Sequence, residues 1–126
     1  MIDFKNGSAF FAKMKSVANK EFEDILAPIL IPDEHIVASF KGIRDGVVFT
    51  GKRIITINIQ GVTGKKKDFT SLPYSKIQAY SVETAGLLDF DSELDMWFSG
   101  LGRVRIEFIH STNIQKICKL ISQKVL

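Results

Sequence analysis

Five carboxylates fall between Glu83 and Asp95: Glu83, Asp89, Asp91, Glu93 and Asp95. Hard cations take carboxylate oxygens, so calcium is the first chemistry to weigh. Asp89, Asp91 and Glu93 alternate, but the glycine and the closing glutamate of a calcium loop are missing. General acid–base chemistry needs a partner such as histidine, and none lies nearby. The segment reads as a solvated or interface loop. Lys65, Lys66 and Lys67 make the densest positive run, with Lys52 and Arg53 at the preceding turn. Lysines at a membrane surface contribute about 1 kcal/mol each, but head-group clusters usually hold four to eight basic residues. In a strand, Lys66 would face away from Lys65 and Lys67, so the run reads as a solvated edge strand kept soluble by its lysines. The glycines of Gln60–Lys65 do not form a phosphate loop, because the spacing is wrong and no helix follows.

Arg44 and Asp45 precede Gly46, and Asp-Gly between apolar runs signals a hairpin turn. They serve either turn geometry or contact with a partner. His35 and His110 lie at the boundaries of apolar runs, far apart, and suggest no metal site. Cys118 falls on an apolar helical stripe and is expected to be a buried small hydrophobe. Trp97 alternates away from Leu94, Met96 and Phe98, so it is a candidate interface anchor on an outer strand face. No cofactor is implied.

These residues sit in a chain of 126 residues with a net charge of +3. That length supports one domain with its own core. Hydrophobic residues at 45% and charged residues at 25% exclude a disordered chain. One cysteine excludes an internal disulfide. The mild charge, without a stacking platform, argues against nucleic acid. No secretory signal, membrane span or lipidation motif is visible, so a cytoplasmic location is expected.

From residue 8 to about 31 the apolar residues Phe10, Phe11, Met14, Val17, Phe22, Ile25, Leu26 and Ile29 suggest helix, with Ser8 as N-cap, a break at Asn19, and Pro28 and Pro32 ending it. From 34 to 111 the period becomes two. About seven short strands with close turns suggest a mainly β barrel or sandwich. From 112 to 125 the helical period returns, with Ile114, Ile117, Cys118, Ile121 and Val125 on one face and a capping box at Thr112 and Gln115. The expected order is helix, seven antiparallel strands, and a helix capping an open barrel end.

Four segments resemble the bacterial pleckstrin-homology (PH) domain family. Gly42–Arg53 is similar to its RD…FT…KR segment, and Gln60–Lys66 to its QG-x-TGKK turn. Leu72–Ile77 resembles its PY-x-x-I segment, and Ser81–Gly86 with Asp89, Glu93 and Leu94 its VETAG…D…EL segment. The resemblance runs from about Ile36 into the C-terminal helix. It implies a PH-like barrel with a capping helix and a tendency to form ring-like homo-oligomers. It implies no reaction or substrate. The short first loop, with one arginine beside an aspartate, departs from the longer basic loops with which eukaryotic PH domains hold inositol phosphates.

The net charge conceals segregation. Lys41 to Lys67 holds seven basic residues and one acid, whereas Glu83 to Asp95 holds five acids and no base. Opposite patches suit head-to-tail contacts between copies. The expected function is therefore a non-catalytic, self-associating module, with Trp97, Arg44, Asp45, Glu83, Asp89, Asp91 and Glu93 as interface candidates. Another protein is a further candidate partner. Binding of anionic lipid through Lys52, Arg53, Lys65, Lys66 and Lys67 is the alternative.

Overall fold

A computed structural model describes residues 7–87, 91–109 and 112–126. The elements are β1 (Ser8–Val17), α1 (Lys20–Leu26), β2 (Ile36–Lys41), β3 (Asp45–Thr50), β4 (Arg53–Gln60), β5 (Lys66–Pro73), a 3-10 turn (Tyr74–Lys76), β6 (Ile77–Glu83), β7 (Ser92–Phe98), β8 (Gly102–Phe108) and α2 (Ile114–Val125). The strands form one sheet in the order β5-β4-β3-β2-β1-β8-β7-β6. The expected mainly β architecture with a C-terminal helix is present.

The N-terminal segment corrects the expectation of a helix over residues 8–31. Its first half is a strand, and only Lys20–Leu26 is α-helical. Ala9 and Phe11 point into the core at a spacing of two, but the next buried residue, Met14, comes three later. A bulge lies between Phe11 and Met14, where Lys13 adopts φ +52. One extra residue in a strand converts a period of two into a step of three. Beside the true helical spacing of Phe22 and Leu26, that step mimics a helical stripe. Asn19 is the strand–helix junction rather than a break between helices. Its amide donates to the Ile36 and Val37 carbonyls, and its Oδ1 accepts from Ser39 Oγ at 2.9 Å.

Among the described residues the sheet therefore has eight strands rather than seven, and it is not wholly antiparallel. β1 runs parallel to β8 from Ser8↔Arg103 to Met14↔Phe108, then antiparallel to β2 from Lys15↔Lys41 to Val17↔Ser39. One strand thus joins the two halves of the sheet. The interior holds Phe11, Met14, Phe40, Phe49, Leu94, Met96, Ile106 and Phe108, closed at one end by Ile114, Ile117 and Ile121 of α2. Asn113 caps α2 by accepting from Lys116 N at 3.1 Å, one residue later than the expected Thr112 cap. Cys118 is half-buried rather than buried, at the margin of the stripe. Pro73 ends β5, and the 3-10 turn precedes β6.

A second apolar cluster lies on the other side of β3 and β4. Phe22 and Leu26 of α1 cover Val48, Ile55 and Ile57. This explains why Val47, Val48, Phe49 and Thr50 are all buried: that strand is covered on both faces. It also revises the role of Gly46, which lies in β3 while the turn spans Gly42–Asp45. A Cβ on Gly46 would lie 2.8 Å from the Phe22 ring. Gly46→Ala is expected to cost about 1–3 kcal/mol through overpacking, and Phe22→Ala about 3–5 kcal/mol through the lost ring. The cost of Gly46→Ala should fall sharply in the Phe22→Ala background, because the clash partner is gone. Denaturant unfolding of the two single variants and the double variant checks this.

Candidate functional site

The acidic and basic candidates lie in opposite halves of the sheet. On β6 and β7, Glu83 stands opposite Glu93, and Ala79 opposite Trp97. On β8, Glu107 is opposite Glu93, Arg105 opposite Asp95, and Arg103 opposite Trp97. Three carboxylates in one cross-strand row would repel. Arg105 relieves them: its Nε and Nη2 donate to the Asp95 carboxylate at 2.8 and 3.0 Å, and Nη1 lies 3.5 Å from Glu93 Oε2. Glu107 accepts from the Lys13 backbone N–H at the β1 bulge, at 3.0 Å. Trp97 points outward as its alternation indicated, with 38% of its surface exposed. Asp91 is half-buried just before β7. Asp89 and His110 lie outside the described residues.

Arg44 and Asp45 are in the other half and do not join this group. Arg44 Nη2 donates to the Gly61 carbonyl at 2.7 Å, tying the β2–β3 turn to the β4–β5 turn. Asp45 begins β3, and burial pushes its carboxyl up from the usual range.

The five basic candidates do not converge either. Lys65, Lys66 and Lys67 are exposed at the start of β5, whereas Lys52 lies at the far end of β4. An eight-residue strand separates them by roughly 26 Å. Arg53 is already engaged by Glu34. Its Nε donates to Glu34 Oε2 and its Nη2 to Glu34 Oε1, both at 2.9 Å. Nη2 also reaches the Ile29 carbonyl, and Nη1 the Ser71 hydroxyl. Among the described residues no group of three or more potential metal ligands comes together. His35 is exposed in the loop before β2.

Glu34 was not visible as a special residue in the sequence. It is buried, and its Oε2 accepts from Thr50 Oγ1 at 2.7 Å while its Oε1 accepts from the Ile31 N–H. Tyr74 completes the cluster by donating to the Thr50 carbonyl at 2.7 Å. Burial, helped by the Glu34 charge, pushes the Tyr74 phenol far up. The group fastens the loop after α1 to the ends of β3, β4 and β5, so its role is structural. No sequence pattern marks it, since Glu34, Thr50, Arg53 and Tyr74 are up to 40 residues apart.

Residues 6–125 match the bacterial PH domain family. The chain is a bacterial PH domain. It is 46% identical over 102 residues to the uncharacterized protein YjqA of Bacillus subtilis (strain 168), covering 79% of this chain and 82% of that protein. The uncharacterized protein YozO of the same strain is 29% identical over 92 residues, covering 73% and 79%. Among solved structures, the PH domain is similar to a DUF1696 family protein with a pleckstrin-homology domain from Shewanella loihica PV-4. The TM-score is 0.77 and the identity 39%, over 90% of this chain and 98% of that one. A pleckstrin homology domain from Shewanella amazonensis SB2B gives 0.65 and 40%, over 87% and 90%. A PH-domain-containing protein of Exiguobacterium sibiricum 255-15, at 18% identity and a TM-score of 0.68, shares the fold. Among the described residues of the PH domain, no helix is long and apolar enough to cross a membrane.

The Glu34–Arg53 pair sets a pH dependence. Burial pushes the Glu34 carboxyl up, but hydrogen bonds from Arg53, Thr50 and Ile31 outweigh this and hold it below its usual value. The stability it adds is complete above the unfolded-state value of about 4.3. That stability is lost as pH falls through the lower, folded-state value. The stability gap between wild type and Glu34→Gln should therefore narrow as pH drops below about 4. Arg53→Ala strands the carboxylate and is expected to cost about 3–5 kcal/mol at neutral pH. Thermal melts between pH 7 and pH 3 report both; a gap that stays constant with pH would contradict the pairing.

Proposed function

We propose that this PH domain is a non-catalytic assembly module that joins copies of itself head to tail, closing into a ring. One observation supports the reading above the others. Among the described residues the eight-stranded sheet ends in two different strands, β5 and β6, each with a neighbouring strand on one side only. β5 opens with Lys66 and Lys67, after Lys65; β6 ends at Glu83, beside Glu93 of β7. An edge strand presents unpaired backbone donors and acceptors, and it pairs readily unless protected. Lysines discourage β5 from pairing with another β5, and carboxylates do the same at β6. A β5 edge meeting a β6 edge has no such penalty. Such a contact uses two different patches, so it propagates, and it closes into a ring when the rotation between copies permits. The opposite charges steer approach and set register more than they add affinity.

The anionic-lipid reading loses support from the same geometry. Arg53 is held by Glu34, and Lys52 is a strand length away from the lysine run.

The wild-type protein should sediment as a multi-subunit species at micromolar concentration and dissociate partly as salt rises. Lys65→Glu/Lys66→Glu/Lys67→Glu should leave nothing larger than a dimer while keeping the fold. Analytical ultracentrifugation with circular dichroism checks this. A wild type that is strictly monomeric, or a triple variant that assembles unchanged, would refute the reading.

A further inference from the structure

The two halves of the sheet treat their outer faces differently. The outer face of β3 and β4 is covered by α1. No described element covers the outer face of β6, β7, β8 and the first half of β1. That face carries two partly exposed aromatics, Phe10 at 56% and Trp97 at 38%. Phe10 stands beside Arg105 and Trp97 beside Arg103 in the strand register. Trp and Arg are the residue types that most often dominate binding energy. Four strands at about 4.8 Å and seven residues at about 3.3 Å give a face of roughly 19 by 23 Å. That suits a modest contact rather than an obligate one.

Charge along this face runs from one end to the other. Arg103 and Trp97 mark one end of β8 and β7; Glu83, Glu93 and Glu107 mark the other, with the Asp95–Arg105 pair between them. A surface with this layout is complementary to itself when a copy is turned over about an axis lying across the strands. The Arg103 end of each copy then covers the acidic end of the other. Each favourable contact occurs twice, as a two-fold interface requires.

We infer that the outer face of β6, β7, β8 and β1 is a second interface, which takes a second copy of this chain face to face. Trp97 and Arg103 at one end meet the partner's acidic row, and Phe10 lies at mid-length beside the Asp95–Arg105 pair. The contact leaves the β5 edge untouched, so it can form where the edge contact is disabled.

The test uses the full chain in the Lys65→Glu/Lys66→Glu/Lys67→Glu background, where the edge contact is disabled. Sedimentation equilibrium at low salt should show a monomer–dimer equilibrium. Trp97→Ala, Arg103→Glu and Glu107→Lys should each weaken the dimer by about tenfold or more. Arg103→Glu and Glu107→Lys repel their own kind but complement each other, so an equimolar mixture should recover the dimer. Glu107 lies on β8 and takes no part in the β6 edge; since it also accepts from the Lys13 N–H, circular dichroism verifies each fold. A strictly monomeric background protein, a dimer indifferent to Arg103→Glu and Trp97→Ala, or a mixture that stays monomeric would overturn the inference. Because the edge lysines are altered throughout, these outcomes are separate from those of the edge contact.

Discussion

The double pairing of β1 is the constraint on which the rest of the structure depends. Along Ser8–Met14 it hydrogen-bonds to β8, and along Lys15–Val17 to β2. No regular strand does both without a kink, and the bulge at Lys13 supplies one. Without β1, β2 and β8 would each present an open edge, giving two sheets and four edges. With it, there is one sheet and two edges, β5 and β6. The segment that continues from β1 then crosses the outside of β3 and β4 as α1, burying Val48, Ile55 and Ile57. The same stretch of chain therefore determines which edges stay open and which outer face stays bare.

Burial of Glu34 with Arg53 belongs to the same arrangement. The loop after α1 must lie against the sheet for α1 to cover it, and the ion pair fastens it there beside the apolar packing of Ile29 and Leu30. A buried ion pair adds little net stability over a well-packed apolar alternative, but losing one partner is costly. Arg53 shows why basic residues counted from a sequence overstate an electrostatic surface: its charge is spent inside the molecule.

Most of the strands were legible. The alternation in Leu94, Met96 and Phe98, or Val104, Ile106 and Phe108, survives because one face of each strand is buried and the other is not. Trp97 could be assigned outward for the same reason. The N-terminal segment reads as helix because a bulge imitates a helical step, and because Phe10 is apolar yet exposed. The Asp-Gly dipeptide points to a turn at Gly46, whereas the ring of Phe22, 24 residues earlier, explains the missing side chain. The charge segregation was visible at once. Its arrangement on opposite edges depended on the strand order, and the strand order depended on β1. Glu34 was invisible, since its partners become neighbours only after folding.

The claim that β5 and β6 are the joining edges is tested most directly by hydrogen–deuterium exchange of the wild-type protein across a range of concentrations. Amides of Lys66–Leu72 and Ile77–Glu83 should become more protected as concentration rises, while those of β3 and β4 stay constant. Protection that is independent of concentration at both edges, or that rises at other strands instead, would contradict the account.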